Sequence, residues 1–178
     1  MRAHKFLAPG ALGPFSGFAW PGPDASRPGA WVEWDGPLVP CASGVHALRV
    51  GVLPAWLDDE LWSVELEGPV VEDDGVLVAG RGRLVERVEA WDAAAAREFA
   101  RGCVERARAY AAPPAPPRAA ECAGDAASYA DAVRRPRDAA VVGYVAAHAA
   151  EAAGEGGLVR ERAAQARWLA DRLELFVD

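Results

Sequence analysis

The chain has almost no lysine, little cysteine and no long apolar run, and each scarcity removes a class of explanation. Lys5 is the only lysine; the other basic residues are arginines. Three cysteines in 178 residues, few and odd in number, imply no disulfide framework and suit a reducing compartment. No stretch approaches the roughly 18 to 20 apolar residues that span a membrane. The longest alanine-rich run, residues 139–153, contains His148 and Glu151. The opening MRAHKFLAPGALGPF carries early positive charge, but Pro9, Gly10, Gly13 and Pro14 break the apolar run that a secretory signal requires. A cytoplasmic protein with no membrane partner is therefore expected. No internal repeat is visible.

Positive charge is also short. The net charge is −7, and residues 1–90 carry 7 basic against 13 acidic side chains, while residues 91–178 carry 12 against 13. Without a basic stripe there is no electrostatic footprint for a phosphate backbone, so no nucleic-acid partner is expected.

What is present changes character at Trp91. Six of the seven tryptophans (Trp20, Trp31, Trp34, Trp56, Trp62, Trp91) stand at or before it, with most of the glycine and proline; alanine-rich helical patterns follow. The expected fold is α+β, a single domain in which an antiparallel sheet from residues 1–90 packs against a bundle of three to four helices from residues 91–178. Strands are predicted at 5–7, 31–34, from 45, at 61–67 and at 76–88, with turns at Asp35-Gly36 and Asp73-Asp74-Gly75. Residues 1–30 read as an irregular segment anchored by Phe15, Phe18 and Trp20. The acids Asp58, Asp59 and Glu60 read as the solvated face of a short helix opened by Pro54.

Helices are predicted from Asp92, an N-cap, with a stripe of Phe99, Cys103, Ala107 and Tyr110. A weaker one, over 118–133, has Cys122, Ala126 and Tyr129 on one face. Another, over 138–153, has Val141, Val145, His148 and Ala152 on one side, making His148 a packed histidine. The last, over 158–176, carries Val159, Ala163, Ala166, Ala170, Leu173 and Val177, with Arg160, Glu161, Arg162, Arg167 and Asp171 mostly outward.

Chemistry-bearing residues concentrate in Cys41-Ala-Ser-Gly44-Val-His46. A thiol, a flexible glycine and an imidazole within six positions, directly before a strand, can supply a nucleophile and a base, or His46 can be a satisfied core histidine. Glu65 is the candidate orienter. The remaining potential metal ligands, His4, Cys103, Cys122 and His148, stand at no recognisable ligand spacing, so no metal or cofactor is expected. Trp62 and the arginines Arg81 and Arg83 are candidate ligand contacts. Alternation puts Arg81, Arg83 and Arg87 on one face, where they can meet Glu65 and Glu67 across the sheet or bind an anion.

Cys41-x-x-Gly44-x-His46, Leu53-Pro-x-Trp56 and Leu61-Trp62-x-Val-Glu65-x-x-Gly68, followed by Ala-Ala-His148 and Glu161-Arg-x-x-Gln165-x-x-Trp168-Leu, resemble a group of small uncharacterised bacterial proteins, chiefly actinobacterial. The resemblance implies an architecture and candidate positions but no reaction. The Glu65-x-Glu67 pair loosely resembles that of ADP-ribosyltransferases, without the Ser-Thr-Ser strand that accompanies it there. Two readings follow. The first is a binding or accessory protein for a small molecule or a protein partner, able to form a homodimer through its alanine-rich helices. The second is a cysteine-dependent or nucleotide-directed transferase or hydrolase using Cys41, His46 and Glu65.

Overall fold

Strands come first and helices second: β1 (Arg2–Leu7), β2 (Val32–Glu33), β3 (Val45–Leu48), β4 (Glu60–Asp73), β5 (Val76–Arg87), then α1 (Ala93–Tyr110), α2 (Pro117–Asp131), α3 (Ala139–Ala153) and α4 (Gly157–Arg172). The computed structural model describes residues 1–176. The class is α+β, with an N-terminal antiparallel sheet and C-terminal helices. The chain forms two compact units, one of residues 1–53 and 58–89, the other of residues 54–57 and 90–176.

The sheet unit is built on the β4–β5 hairpin. Asp74 (φ +44°) and Gly75 (φ +76°) both take the left-handed conformation of a two-residue type I′ loop, whose twist matches that of the strands it joins. β4 also pairs with β1 over six residues, from Arg2 opposite Glu65 to Leu7 opposite Glu60. β5 pairs with β3, from Val45 opposite Ala79 to Leu48 opposite Val76, and with β2 at Val32 and Glu33. β1 and β3 meet at one pair, His4 and Leu48. All pairings are antiparallel and close the ring β5, β3, β1, β4, which removes most exposed edges. Its interior holds Ala3, Leu7, Val45, Ala47, Val64, Leu66, Leu77, Ala79 and Leu84. Each large aliphatic side chain buried there contributes about 1.5–3 kcal/mol. A Cβ on Gly82 would stand 2.7 Å from Val45 Cγ1 and 3.0 Å from Leu66 Cδ2, so the interior is closed around a bare backbone.

A bulge re-aims one arginine. Trp62 faces Arg87 and Ser63 faces Glu86, but Val64 faces Leu84, leaving Val85 extra. Arg87 therefore shares a face with Trp62, whereas Arg81 and Arg83 lie opposite Glu67 and Glu65. The predicted row of three arginines is corrected to two, because strict alternation cannot anticipate an inserted residue.

Two further expectations fail in this unit. Asp59 and Glu60 are buried (6% and 7% exposed), not solvated on a helix. Pro54 instead sits inside a 3-10 turn, Val50–Ala55, and the acids lead into β4. Trp20 anchors the 8–20 loop in the core, but Phe15 is 85% exposed and Phe18 is also exposed.

In the helical unit, Asp92 accepts from Ala94 N and Ala95 N at 2.8 Å, and Phe99, Cys103 and Ala107 are buried along α1, as their spacing predicts. α2 starts with Pro117 and buries Cys122 and Ala126, but Tyr129 is exposed. α3 packs through Val142, Gly143, Ala146, Ala147, Ala149 and Ala150, not through the predicted line, in which Val141 is exposed and His148 only half-buried. Alanine on every side left hydropathy unable to choose between faces. α4 with its C-cap buries Ala166 and Leu173 and exposes Arg160, Arg167 and Asp171 as predicted, but it turns Val159 outward, at 69% exposed, and buries Glu161 and Gln165 completely; Val177 lies outside the described residues. A Cβ on Gly157 would overlap the Ala150 carbonyl, so α4 begins against the backbone of α3. Among the described residues, no helix is long and apolar enough to cross a membrane.

Candidate functional site

Cys41 sits in a tight turn closed by Val39 N to Ser43 O (3.0 Å) and Ser43 N to Val39 O (2.9 Å). Its φ of +59° is a strained conformation for a residue with a Cβ, and its side chain is exposed. Gly44 (φ +113°) carries the chain into β3; a Cβ there would overlap Val78 Cγ1.

His46 follows on β3, with Nδ1 2.9 Å from Gly44 O. A carbonyl only accepts, so Nδ1 bears the proton and the neutral ring leaves Nε2 as a bare lone pair. Nε2 is buried and makes no hydrogen bond. Burial and then the Lys5 charge hold the imidazole below its usual pKa, while the Gly44 and Val39 carbonyls pull weakly the other way. His46 is thus neutral at pH 7. Its ring makes no hydrogen bond to the Cys41 sulfur. The Glu65 carboxylate is taken by Arg83, at 2.6 Å from Nη2 and 2.8 Å from Nε. The three residues singled out for catalysis are therefore not linked to one another.

Arg81 and Arg83 are pinned as the ion-pair expectation requires. Arg81 Nη1 is 3.0 Å from Glu67 and its Nε is 3.2 Å from Glu33. Both guanidiniums lie over Trp31, 4.4 and 4.3 Å from the ring centroid, where the ring quadrupole attracts them. An anionic ligand would have to displace these carboxylates.

Trp62 belongs to a different group, centred on Glu60. Glu60 accepts from Gly10 N (3.0 Å), Ala11 N (3.1 Å) and Trp62 Nε1 (3.1 Å), and Arg87 Nη1 stands 3.5 Å from it. The carboxylate thus ties the N-terminal loop, the indole and the end of β5 together. Beside it opens a cleft of about 440 Å³ lined by Pro23, Asp24, Trp62, Val85, Glu86, Arg87 and Glu89. The ligand residues named from sequence are therefore split: Trp62 is here with Arg87, while Arg81 and Arg83 sit over Trp31. Extending the alternation of Trp62, Val64 and Leu66 back by two places would have found Glu60 on the core face.

Lys5 projects from the interior face of β1, opposite Trp62. Its ammonium donates to His46 O at 2.8 Å and stands 5.1 Å from the Trp20 centroid. Desolvation lowers its pKa from 10.5 to about 8, outweighing the attraction of the ring.

The helical unit holds a polar network that sequence reasoning missed. Buried Glu161 receives Arg106 Nε at 2.9 Å and Nη2 at 3.0 Å. It also receives Gln165 Nε2 at 2.9 Å, which in addition reaches Gly143 O at 2.9 Å. Arg162 Nη1 donates to Gln165 Oε1 (3.0 Å) and to Pro54 O (2.9 Å). Cys103 Sγ lies 3.4 Å from Arg106 Nη2, and burial pushes its thiol up to about 12, so it is inert. The four-residue spacing of Glu161 and Gln165 was the available signal. Half-buried His148 pairs with Glu151 at 2.7 Å and stacks edgewise on Tyr144. Among the described residues, no group of three or more His, Cys, Asp or Glu could hold a metal ion.

Comparison with protein-family models, with curated proteins and with solved structures gave no significant match.

Proposed function

We propose that this chain is a binding protein whose sheet unit takes a small cationic ligand, or the cationic side chain of a partner, in the cleft over Trp62. The observation that carries the reading is the lining of that cleft: Trp62, Val85 and Pro23 offer apolar surface, while Asp24, Glu86 and Glu89 outnumber Arg87. Arg87 already faces Glu60 and Glu89, at 3.5 and 3.6 Å. Its charge is thereby offset, and the cleft is negative. The cleft is open to solvent, with a volume of about 440 Å³, and carboxylates beside the edge of an otherwise buried Trp62 suit a guanidinium or primary amine on an apolar stem.

Catalysis has less support. Glu65 is committed to Arg83 and does not orient His46, whose Nδ1 instead meets Gly44 O and whose Nε2 is buried with no hydrogen bond to Cys41. The three free thiols, one of them exposed, suit a reducing cytoplasm.

Calorimetric titration with agmatine, an arginine-containing tripeptide and succinate tests the proposal. The two cations should bind and succinate should not. Replacing both Glu86 and Glu89 with Gln should weaken cation binding about tenfold or more, and salt should weaken it further. Equal heats for cation and anion, or no heat from either cation, would overturn it.

A further inference from the structure

Lys5 belongs neither to the arginine pair over Trp31 nor to the walls of the cleft, and its surroundings are unusual for a lysine. Among the described residues no carboxylate pairs with it; its one hydrogen bond is to a backbone carbonyl, His46 O. It shares the interior face of β1 with buried Ala3 and Leu7, and the Trp20 ring lies beside the amine. The side chain is nevertheless only partly covered. We propose that the Lys5 ε-amine captures small neutral aldehydes as an imine.

In the neutral amine, one N–H held by His46 O leaves the lone pair free to attack. The nitrogen lone pair forms the C–N bond to the carbonyl carbon, and the carbonyl π electrons move to oxygen. A proton passes from nitrogen to that oxygen, giving a carbinolamine. Loss of water then breaks the C–O bond and forms C=N. Nothing is oxidised or reduced. The product nitrogen needs no anionic partner, which matches a site that has none, and its protonated form would lie beside the Trp20 face. Carbon dioxide would fit poorly, because a carbamate places a full negative charge where no guanidinium opposes it.

Desolvation supports the same chemistry. With a pKa of about 8 against an ordinary 10.5, the free-amine fraction at pH 7.4 rises on the order of a hundredfold, as in activated lysines generally.

A single lysine makes the test clean. The full chain is incubated at pH 7.4 with propanal and cyanoborohydride, which reduces the imine to a stable amine, and the Lys5 peptide is resolved from the Met1 α-amine by mass spectrometry. Lys5 should react about tenfold or more faster in the folded chain than in the same chain unfolded in urea, or than Nα-acetyllysine. The rate should level off near pH 8, and Lys5→Arg should carry no adduct beyond Met1. A Lys5 rate equal to or below that of the urea-unfolded chain would overturn the proposal.

Discussion

Arg106 grips Glu161 through both Nε and Nη2, at 2.9 to 3.1 Å, and so joins α1 to α4. Glu161 is completely buried while Arg106 keeps about a quarter of its side chain exposed (28%). The carboxylate is therefore the partner that cannot fall back on water. Arg106→Met should destabilise the helical unit by about 3–5 kcal/mol, because it leaves a buried charge opposed by less than it needs. Combining it with Glu161→Leu should recover at least half of that loss, by removing the charge as well. Urea denaturation of both variants measures the difference, and a double variant no more stable than Arg106→Met would count against this account.

Lys5 makes the stability of the sheet unit depend on pH in a defined direction. Its folded pKa, about 8, lies below its ordinary value of 10.5. Between these values the unfolded chain holds a proton that the folded chain has released, so stability rises with pH across that window. Below pH 8 both states are charged and the full cost of burying the ammonium applies. Lys5→Met should remove this rise. The quantity to measure is the difference between wild type and variant from pH 6 to pH 10.5, since Tyr110, whose pKa is raised, acts in the opposite sense near the upper end. The variant should be ahead by about 1–3 kcal/mol at pH 6, with its lead shrinking by pH 10.

Much of this architecture was legible in sequence, and the failures share a cause. Period-two alternation found β4 because Trp62, Val64 and Leu66 are buried while Ser63 and Glu65 between them are partly exposed; β5, buried on both faces over Val76–Ala79, was marked by its turn and its apolar run. Asp92 and the Asp74-Gly75 loop were legible because caps and type I′ turns need particular side chains and backbone angles. The face of α3 was not, and on α4 Ala166 and Leu173 were read correctly but Glu161 was not. In a helix where alanine stands on every side, polarity stops marking the surface, and Glu161 and Gln165 enter the core only because Arg106 and Gly143 O meet them there. Likewise the partners of Cys41, His46 and Glu65 depend on long-range register, which residue spacing within a motif does not encode.

The turn before β3 gives opposite expectations at two neighbouring positions. Cys41 takes a left-handed φ, so Cys41→Gly should stabilise the chain by about 0.5–1 kcal/mol by relieving backbone strain. Gly44→Ala should cost about 2 kcal/mol or more, since the new methyl meets Val78 in a conformation that alanine resists. Thermal melts of the two variants should move in opposite directions.

The three thiols should separate by reactivity. Cys41 is exposed, while Cys103 and Cys122 are buried. A colorimetric thiol reagent should therefore modify one cysteine promptly in the native chain and all three in denaturant. Rapid loss of Cys103 under native conditions would contradict its enclosure beside Arg106.

The sheet closes on itself, but its circumference is stitched unevenly. β4 and β5 share a long run of rungs, whereas β1 and β3 share the single pair His4 and Leu48, with the Lys5 ammonium spanning to His46 O just beyond it. Local breathing begins where the fewest bonds must break together. Amide protons along the free side of β3 should accordingly exchange with solvent before those of the hairpin. The Lys5 amine stands beside that thin place in the wall.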